Sequence, residues 1–380
     1  MGHPDVVEGE TAVRTLAAVA TAPKTDLSVT ELELDECRPD ELRVRMVASG
    51  VCHTDAIVRD QWYPTPLPAV LGHEGSGVVE AVGADVTGFS PGDRVVLAPA
   101  SCGACTQCIA GHPQYCEQFY AYNFGGSRPD GSTQFTDDGV AVSSNFFGQS
   151  SFSQYVNVKA RNAVTVSDTV PLELLGPLGC GIMTGAGSVL NVLRPGAGDS
   201  IAIFGTGAVG MAAMLAAVAA GATTVVMVDI VQSRLDLALQ LGATHVVNST
   251  EADPVERIKE ITGGGARYAL DTTGVPAVFA QMTRSLALLG VGGLVGAAPL
   301  GTDAPFDIGT LLTSGITIKM IVEGDSIPRE FIPRLISLYE AGKFPFDKLV
   351  TTYEFADINR AFADSESGAT IKPVLLFPRA

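Results

Sequence analysis

Two patterns of hydrophobic positions divide the chain. In its first third, short runs of apolar and β-branched residues are separated by glycine and proline, as in ELRVRMVASGV, GSGVVEAVG and GDRVVLAPA. Short runs of this kind, bounded by turn residues, predict strands. Further along, apolar runs alternate with helix-length segments, in the order SIAIFG, AVGMAAMLAAVAAG, TTVVMVDI and QSRLDLALQLG. Strands that are apolar throughout and alternate with helices predict a parallel sheet covered by helices on both faces.

The predicted fold class is α/β, with two units. We expect a doubly wound parallel sheet over residues 182–323 and a β-rich unit formed by residues 1–181 and 324–380. The segment GITIKMIVEG predicts one further strand at the end of the parallel sheet. Residues 200–228 carry no charge, but four glycines interrupt them. We therefore interpret them as a buried strand–helix–strand and not as a membrane span.

A glycine-rich turn joins the first strand of the parallel sheet to its helix. Its residues are Gly205, Thr206, Gly207, Ala208, Val209 and Gly210. Asp229 ends the next strand, and this order is typical of a dinucleotide site in which a pyrophosphate lies at a helix N-terminus. Asp229 would repel the 2′-phosphate of NADP, and Ile230 and Val231 carry no charge, so the sequence favours NAD. The alternative is a structural turn that binds nothing.

Four of the seven cysteines lie in one short loop, residues 101–118. They are Cys102, Cys105, Cys108 and Cys116. Disulfides do not fit a reducing cytoplasm, and the gap of seven residues before the last cysteine differs from the ferredoxin spacing. Tetrahedral binding of zinc by four thiolates fits this spacing best. Because all four positions would be protein ligands, we expect a structural zinc and not a catalytic one.

Three cysteines remain outside that loop: Cys37, Cys52 and Cys180. A catalytic zinc takes three protein ligands and keeps one position open, which Cys52, Cys180 and His73 could supply. Composition alone does not select this set, because isolated cysteines and histidines are more often packed residues than ligands. We interpret Cys37 as a packed thiol.

The charge of the chain excludes several classes of partner. Lysine and arginine number 24 and aspartate and glutamate 41, which gives a net charge of −17. A surface this acidic repels nucleic acid and anionic lipid. The N-terminal stretch MGHPDVVEGE lacks the apolar core of a signal peptide. We therefore expect a cytoplasmic protein that binds neither nucleic acid nor a membrane.

The motifs, taken in order, carry a family resemblance. GVCHTD, GHEGSGVVEAVG, the four-cysteine loop, GCGIMTGAG and GTGAVG resemble the zinc-dependent medium-chain alcohol dehydrogenases from about residue 12 to the end. CGACTQCIAGHPQYC and WYPTPLPAVLGHE are most similar to the aryl-alcohol (benzyl-alcohol) and geraniol dehydrogenase branch. The resemblance implies a GroES-like catalytic domain, a Rossmann domain, NAD, and one catalytic and one structural zinc. It also implies hydride transfer between NAD and an aromatic or allylic primary alcohol or aldehyde.

The resemblance implies roles for the residues around the metal. Cys52, His73 and Cys180 match the ligands of the catalytic zinc, and the four loop cysteines match those of the structural zinc. Asp55 matches the acid that orients the ligand histidine. Glu74 matches the acid beside the zinc. The spacing of these residues alone does not establish any of the roles.

The resemblance also implies how the proton and the cofactor are held. Thr54 matches the hydroxyl that hydrogen-bonds the substrate, but Ile57 stands where the relay histidine is usual, so the proton should leave through the cofactor ribose and water or through His53. His53 and Lys372 match cations at the pyrophosphate. A lysine gives charge without the directed fork of an arginine. Arg234 is placed to reach the adenosine.

Four aromatic residues are candidates for the substrate pocket: Trp62, Tyr63, Phe146 and Phe147. Ordinary core packing is the alternative for each of them. A glutathione-dependent formaldehyde dehydrogenase, a reductase of C=C or C=N bonds, and a zinc-binding protein without catalysis are the alternative functions. The family generally assembles through the edge strand, so we expect a homodimer or homotetramer joined at GITIKMIVEG.

Overall fold

Three sheets account for the strands of the computed structural model, which describes residues 13–378. The N-terminal stretch MGHPDVVEGE, which lacks the apolar core of a signal peptide, lies outside this range. The strands are β1 Val13–Ala20, β2 Ser28–Leu34, β3 Glu41–Gly50, β4 Ala69–Val70, β5 Glu74–Val82, β6 Arg94–Leu97, β7 Phe135–Asp137, β8 Val140–Val142, β9 Tyr155–Lys159, β10 Ala163–Thr165, β11 Ser200–Phe204, β12 Thr224–Asp229, β13 His245–Asn248, β14 Ala266–Asp271, β15 Leu286–Leu294, β16 Thr317–Met320, β17 Val350–Glu354 and β18 Lys372–Leu376.

Helices connect and cover these strands. The α-helices are α1 His53–Arg59, α2 Thr106–Ile109, α3 Phe119–Phe124, α4 Leu172–Leu175, α5 Gly181–Gly187, α6 Ala208–Ala220, α7 Gln232–Gln240, α8 Pro254–Thr262, α9 Pro276–Arg284, α10 Ile308–Ser314, α11 Pro328–Glu340 and α12 Ile358–Glu366. Shorter turns are 3₁₀ at Pro113–Tyr115, Phe146–Gly148, Ala160–Asn162, Gly176–Gly179, Glu323–Asp325, Phe346–Leu349 and Phe355–Asp357, and π-helical at Ser188–Leu193.

The six-stranded sheet is parallel throughout, in the order β13-β12-β11-β14-β15-β16. The strand order reverses beside β11, and in doubly wound sheets a ligand binds where this happens, outside the carboxyl ends of the strands. The prediction of a doubly wound sheet is confirmed, and residues 200–228 form its buried β11, α6 and β12. GITIKMIVEG contributes the edge strand β16, although only Thr317–Met320 are paired.

The β-rich unit contains the other two sheets. One has the order β4-β1-β2-β7-β8, and in the other β3 pairs with β5, β9 and β18. Because β18 comes from the C-terminus, residues after the parallel sheet return to the unit that precedes it, as the two-part prediction requires. The boundaries at residues 181 and 324 stay predictions.

Helices α5 and α6 pack against each other at close range. A Cβ placed on Gly185 would lie 2.0 Å from the backbone oxygen of Val209, so the helices approach each other backbone to backbone. Helix α5 begins just after Cys180, and α6 begins in the glycine-rich turn. The close packing therefore fixes the third predicted zinc ligand relative to the predicted cofactor loop.

Helix α6 is apolar along its whole length, and its residues from Gly210 to Ala217 are buried. A helix that is apolar all round belongs to a core or to a membrane, and here other elements surround it. Among the described residues, no single helix combines the length and apolarity that a membrane crossing requires. The bent pair Leu172–Gly179 and Gly181–Leu193, at 57°, meets those two criteria jointly.

Candidate active site and metal centres

Three predicted ligands converge between the two units. The ligand atoms of Cys52, His73 and Cys180 all lie within 4.8 Å of one another. Cys52 caps α1, His73 immediately precedes β5, and Cys180 caps α5. Two thiol groups and one imidazole at this spacing form a Cys2His set, the kind that binds a zinc ion and leaves one position open.

Asp55 holds two of these ligands in place. Its Oδ1 accepts a hydrogen bond from Nδ1 of His73 at 2.8 Å, and its Oδ2 accepts one from the backbone N–H of Cys52 at 2.9 Å. The side chains of Asp55 and His73 are both fully buried. With the proton on Nδ1, the lone pair of Nε2 faces the two sulfur atoms, and Nε2 has no hydrogen-bond partner among the described residues. A buried ring nitrogen without a partner beside two thiols fits a metal ion.

The three groups influence one another's protonation. The neighbouring Cys180 thiol lowers the pKa of Cys52 well below its usual value, and the Cys52 sulfur raises that of Cys180 well above it. Burial alone would lower the pKa of His73, but the charges of Asp55 and Cys52 raise it well above its ordinary value. The cluster thus stabilises positive charge at its centre, which a divalent cation would supply.

The four cysteines of the loop also converge. Their sulfur atoms lie within 4.8 Å of one another, with Cys102 and Cys108 at 3.9 Å and Cys105 and Cys116 at 4.0 Å. A disulfide would need about 2.05 Å, whereas a zinc tetrahedron with bonds of about 2.3 Å has sulfur atoms about 3.8 Å apart. Backbone N–H groups also point at the sulfurs, as the 3.2 Å contact from Cys105 N to Cys102 Sγ shows. The geometry fits a closed four-thiolate metal site.

One cleft joins the glycine-rich turn to the three-ligand cluster. Its volume is about 320 Å³. Its lining includes the predicted cofactor residues His53, Gly205, Gly207, Ala208, Val209, Gly210, Asp229, Arg234 and Lys372. Cys52 and Gly181 line its other end. Thr206 is fully buried behind the turn. The sequence reading missed Thr272 and Thr273, which follow β14 and line the same cleft, because polar residues after a strand give no specific signal.

The three glycines of the turn have different surroundings. A Cβ on Gly210 would lie 1.9 Å from the Gly205 oxygen, and Gly205 itself has a φ of +98°. The chain therefore requires glycine at both positions. A Cβ on Gly207 would meet nothing within 4 Å, and neither its φ of −70° nor its ψ of −177° requires glycine. The space above Gly207 fits the pyrophosphate of a dinucleotide, which a side chain there would displace.

Gly207→Val is expected to raise the KM for the dinucleotide by at least about tenfold, a cost of about 1.4 kcal/mol, because the side chain fills the phosphate position. The melting temperature should change little, since a Cβ at this position meets nothing in the chain within 4 Å. Gly210→Ala is the matched comparison and should destabilise the fold. Steady-state kinetics with thermal melts check both, and an unchanged KM for Gly207→Val would contradict the placement of the cofactor.

Asp229 lines the cleft, and hydrogen bonds from its own chain hold its carboxylate. Its Oδ2 accepts from the backbone and the hydroxyl of Thr206, both at 2.6 Å, and its Oδ1 accepts from Ile230 N and Val231 N at 2.7 and 2.9 Å. Arg234 lies nearby but donates to the backbone oxygens of residues 368 and 370. Burial lowers the pKa of Arg234, and the charge of Asp229 opposes this.

Two of the four aromatic residues predicted to line the substrate pocket pack on the three-ligand cluster. The Phe147 ring stacks on His73 with centroids 4.5 Å apart, and Phe146 meets the same imidazole edge-on at 5.3 Å. Both rings are buried. The sequence reading missed Phe124, which packs edge-on against both, at 5.9 and 5.2 Å. These three rings form an aromatic wall on one side of the three-ligand cluster.

The other two predicted aromatics lie further out. Tyr63 packs on Phe124 at 5.6 Å, and its hydroxyl donates to the backbone oxygen of Ala298 at 2.7 Å, so it bridges the β-rich unit and the parallel-sheet unit. Trp62 is 45% exposed, and its ring lies edge-on to His53 at 6.5 Å. The structure thus places Trp62 beside His53, a residue that lines the cleft, and not against His73 as it does Phe146 and Phe147.

Glu323 is an acid near the cluster that the sequence reading missed. Residues 323–325 have φ values of 49°, 64° and 48°, a left-handed turn that only Gly324 adopts without strain. Burial raises the pKa of Glu323 to about 7, while the charge of His73 and a hydrogen bond from the Thr184 hydroxyl lower it. The sequence VEGD gives no sign of this turn, because tertiary packing imposes it.

Comparison with known proteins decides the family. Residues 38–168 match the model of the alcohol dehydrogenase GroES-like domain, and residues 208–341 match that of the zinc-binding dehydrogenases. The chain belongs to the zinc-type alcohol dehydrogenases. The predicted family, the α/β fold class and the pairing of a GroES-like domain with a Rossmann domain are thereby confirmed.

Three similar proteins extend over nearly the whole of this alcohol dehydrogenase. The geraniol dehydrogenase of Castellaniella defragrans is 48% identical over 363 residues, which are 95% of this chain and 97% of that protein. The crystal structure of benzyl alcohol dehydrogenase from Acinetobacter calcoaceticus is 49% identical, with a TM-score of 0.94 over 96% of this chain and all of that one. An alcohol dehydrogenase zinc-binding domain protein from Burkholderia ambifaria is 54% identical, with a TM-score of 0.95 over 97% and 100%.

Membership of this family gives the reaction class. A zinc-type alcohol dehydrogenase acts on a small-molecule alcohol with zinc and a nicotinamide dinucleotide. In the described residues, the three-ligand cluster and the cysteine loop are two groups that could hold a metal ion, and the cleft runs beside the first of them.

Proposed function

We propose that this chain transfers a hydride between NAD and a primary allylic or benzylic alcohol, with Cys52, His73 and Cys180 holding the catalytic zinc and the cysteine loop a structural one. The observation that carries the proposal is the single cleft that runs from Asp229 to Cys52. A dinucleotide bound at the glycine-rich turn would extend along this cleft to the three-ligand cluster. The alcohol loses a hydride to the nicotinamide and a proton to the solvent, which gives aldehyde, NADH and H⁺.

The zinc supplies a Lewis acid that favours loss of the alcohol proton. The chain's own residues orient the reacting groups. Asp55 keeps His73 in the tautomer with a free Nε2, and the stacked Phe147 ring prevents the imidazole from turning. Phe146 and Phe147 exclude water from one side of the cluster, which strengthens the electrostatic interactions there.

The proton leaves by way of Thr54 and the cleft. The Thr54 hydroxyl lies 3.8 Å from the Cys52 sulfur. Ile57, where the family usually has a relay histidine, is buried and cannot carry a proton. His53 is exposed and lines the cleft. Thr54 would therefore take up the alcohol proton and His53 would stand where it is released to solvent, with the ribose of a bound cofactor and water able to bridge the two.

The substrate class follows from the aromatic wall and the relatives. Three phenylalanine rings pack together beside the cluster. An apolar pocket with one metal suits an alcohol whose carbinol carbon is attached to a ring or a double bond. The two named relatives that are nearly half identical to this chain are a geraniol dehydrogenase and a benzyl alcohol dehydrogenase.

A panel of alcohols tests the proposal. Initial rates of NAD reduction are measured with benzyl alcohol, cinnamyl alcohol, geraniol, ethanol and S-hydroxymethylglutathione, with and without a zinc chelator. We expect chelator-sensitive turnover of the first three and at least about tenfold lower kcat/KM for ethanol, since each buried CH₂ contributes about 0.8 kcal/mol. Preference for the glutathione adduct would assign the chain to the formaldehyde dehydrogenase branch, and no turnover of any alcohol would contradict the proposal.

Asp229 makes NAD the preferred cofactor in this proposal. The pair Asp229→Ser with Ile230→Arg is expected to shift the ratio of kcat/KM from NAD toward NADP by about 10²-fold, because a charge-assisted hydrogen bond of about 1.5–3 kcal/mol replaces a repulsion. Ile230 is 65% exposed, so the arginine needs no repacking. Ile230→Arg alone is the control and should shift the ratio less. Equal use of both cofactors by the unaltered enzyme would contradict the role of Asp229.

We also propose that the chain forms a homo-oligomer through the edge of the parallel sheet. The edge strand β16 exposes Met320, and Leu288, Leu312 and Ile308 near it are more than two-thirds exposed. An apolar sheet edge needs a covering partner. Light scattering on the purified chain distinguishes a dimer or tetramer from a monomer.

A further inference from the structure

Lys372 has no hydrogen-bond donor left for a cofactor. It lies at the start of β18 with 2% of its surface exposed. Its Nζ lies 2.9 and 2.8 Å from the two carboxylate oxygens of Glu74 and 3.1 Å from the backbone oxygen of Val51. An ammonium group has three N–H donors, so these three acceptors occupy all of them.

The partners of Lys372 lie beside the metal ligands in the chain. Val51 precedes the first ligand, Cys52, and Glu74 follows the second, His73. The Oε1 atom of Glu74 also accepts a hydrogen bond at 3.0 Å from the backbone of Gly181, which follows the third ligand. The buried ion pair thus includes the chain neighbour of His73, which is Glu74, and contacts chain neighbours of Cys52 and Cys180, which are Val51 and Gly181.

The backbone encloses this ion pair. A Cβ on Gly50 would lie 2.0 Å from Glu74 Oε2, and one on Gly181 would lie 3.0 Å from Glu74 Oε1 and 3.4 Å from Lys372 Nζ. The two side chains therefore have little room to separate. Since their charges cancel, the pair presents a dipole and not a net positive charge to the cleft.

We propose that Lys372 is a positioning residue for the three-ligand metal site and that it donates no hydrogen bond to the pyrophosphate of the cofactor. This inference rests on the proposed function and gives Lys372 a different role from the one that the resemblance implies. An arginine has five donors and could make the same three bonds with two to spare, whereas a lysine cannot. The pyrophosphate is held instead by the N–H groups at the start of α6 and by His53.

The test separates cofactor affinity from metal retention. The variant Glu74→Gln with Lys372→Met removes both charges, which avoids an unpaired buried carboxylate. We expect the Kd for NADH, from fluorescence titration, to change less than about threefold. Zinc release from the three-ligand site to a chelator should become at least about tenfold faster, as when a residue that supports a ligand is lost. The zinc of the cysteine loop should stay.

Two further variants complete the test. His53→Ala should raise the Kd for NADH by about tenfold without faster zinc release, since the loss of one phosphate contact costs about 1.4 kcal/mol. Glu74→Gln with Lys372→Gln, a neutral pair that still hydrogen-bonds, should restore slow zinc release and serves if the first pair does not fold. A tenfold or greater rise in the Kd for NADH in either double variant, with zinc intact, would overturn the proposal. The zinc-release arm needs no cofactor, so a wild-type chain that bound no NADH would contradict only the proposed function.

Discussion

His73→Ala is expected to lower kcat for benzyl alcohol or geraniol on the order of 10⁴-fold, as the loss of one member of an interdependent catalytic set does. The variant should also lose one of two zinc ions per chain. The reason is that Nε2 is the only described imidazole nitrogen aimed at the Cys52–Cys180 pair. Metal analysis and steady-state rates on the same preparation measure both effects.

The control for this experiment is His245→Ala. His245 lies on the exposed end of β13, outside both metal clusters, so its replacement should leave the rate and both zinc ions unchanged. A His73→Ala enzyme that kept its rate within tenfold of the wild type would show that the metal, if bound, does not act on the alcohol.

Cys105→Ser is expected to lower the melting temperature by about 10 °C or more while the three-ligand zinc is retained. A closed four-thiolate site contributes folding free energy directly, because the unfolded chain has no preformed site. The cysteine loop has little else to hold it, since most of its residues are exposed or only partly buried. Calorimetry with zinc analysis measures the effect.

Cys37→Ser is the matched control for the loop. The sulfur of Cys37 lies 3.4 Å from the backbone oxygen of Glu41, away from both clusters, and its replacement should change the melting temperature by less than about 3 °C. Equal melting temperatures for the two variants would mean that the four-cysteine loop is not a structural metal site.

The parts of the fold that depend on local order along the chain could be predicted from the sequence. The alternation of apolar strands and helices predicted the parallel sheet. The glycine-rich turn with Asp229 predicted the cleft proposed for the cofactor, because the motif, its strand and its helix are adjacent in the chain. The cysteine loop was predictable for the same reason. In each of these cases, spacing in sequence nearly determines spacing in space.

The three-ligand cluster could not be predicted from the local order of residues along the chain. Cys52, His73 and Cys180 come from three separate turns, and only the packing of α5 on α6 and of β5 on β3 brings them together. The family resemblance was needed to choose them. It did not show that Tyr63 bridges the two units or that Glu323 adopts a left-handed turn, because those features depend on contacts between distant segments.

The position of Trp62 gives the enzyme an optical signal of its own. Trp62 is the only tryptophan in the chain, it is partly exposed, and its ring lies edge-on to the imidazole of His53, which lines the cleft. A nicotinamide ring in its reduced form accepts energy from an excited indole. The intrinsic emission of this protein should therefore follow the redox state of the bound dinucleotide, without any label.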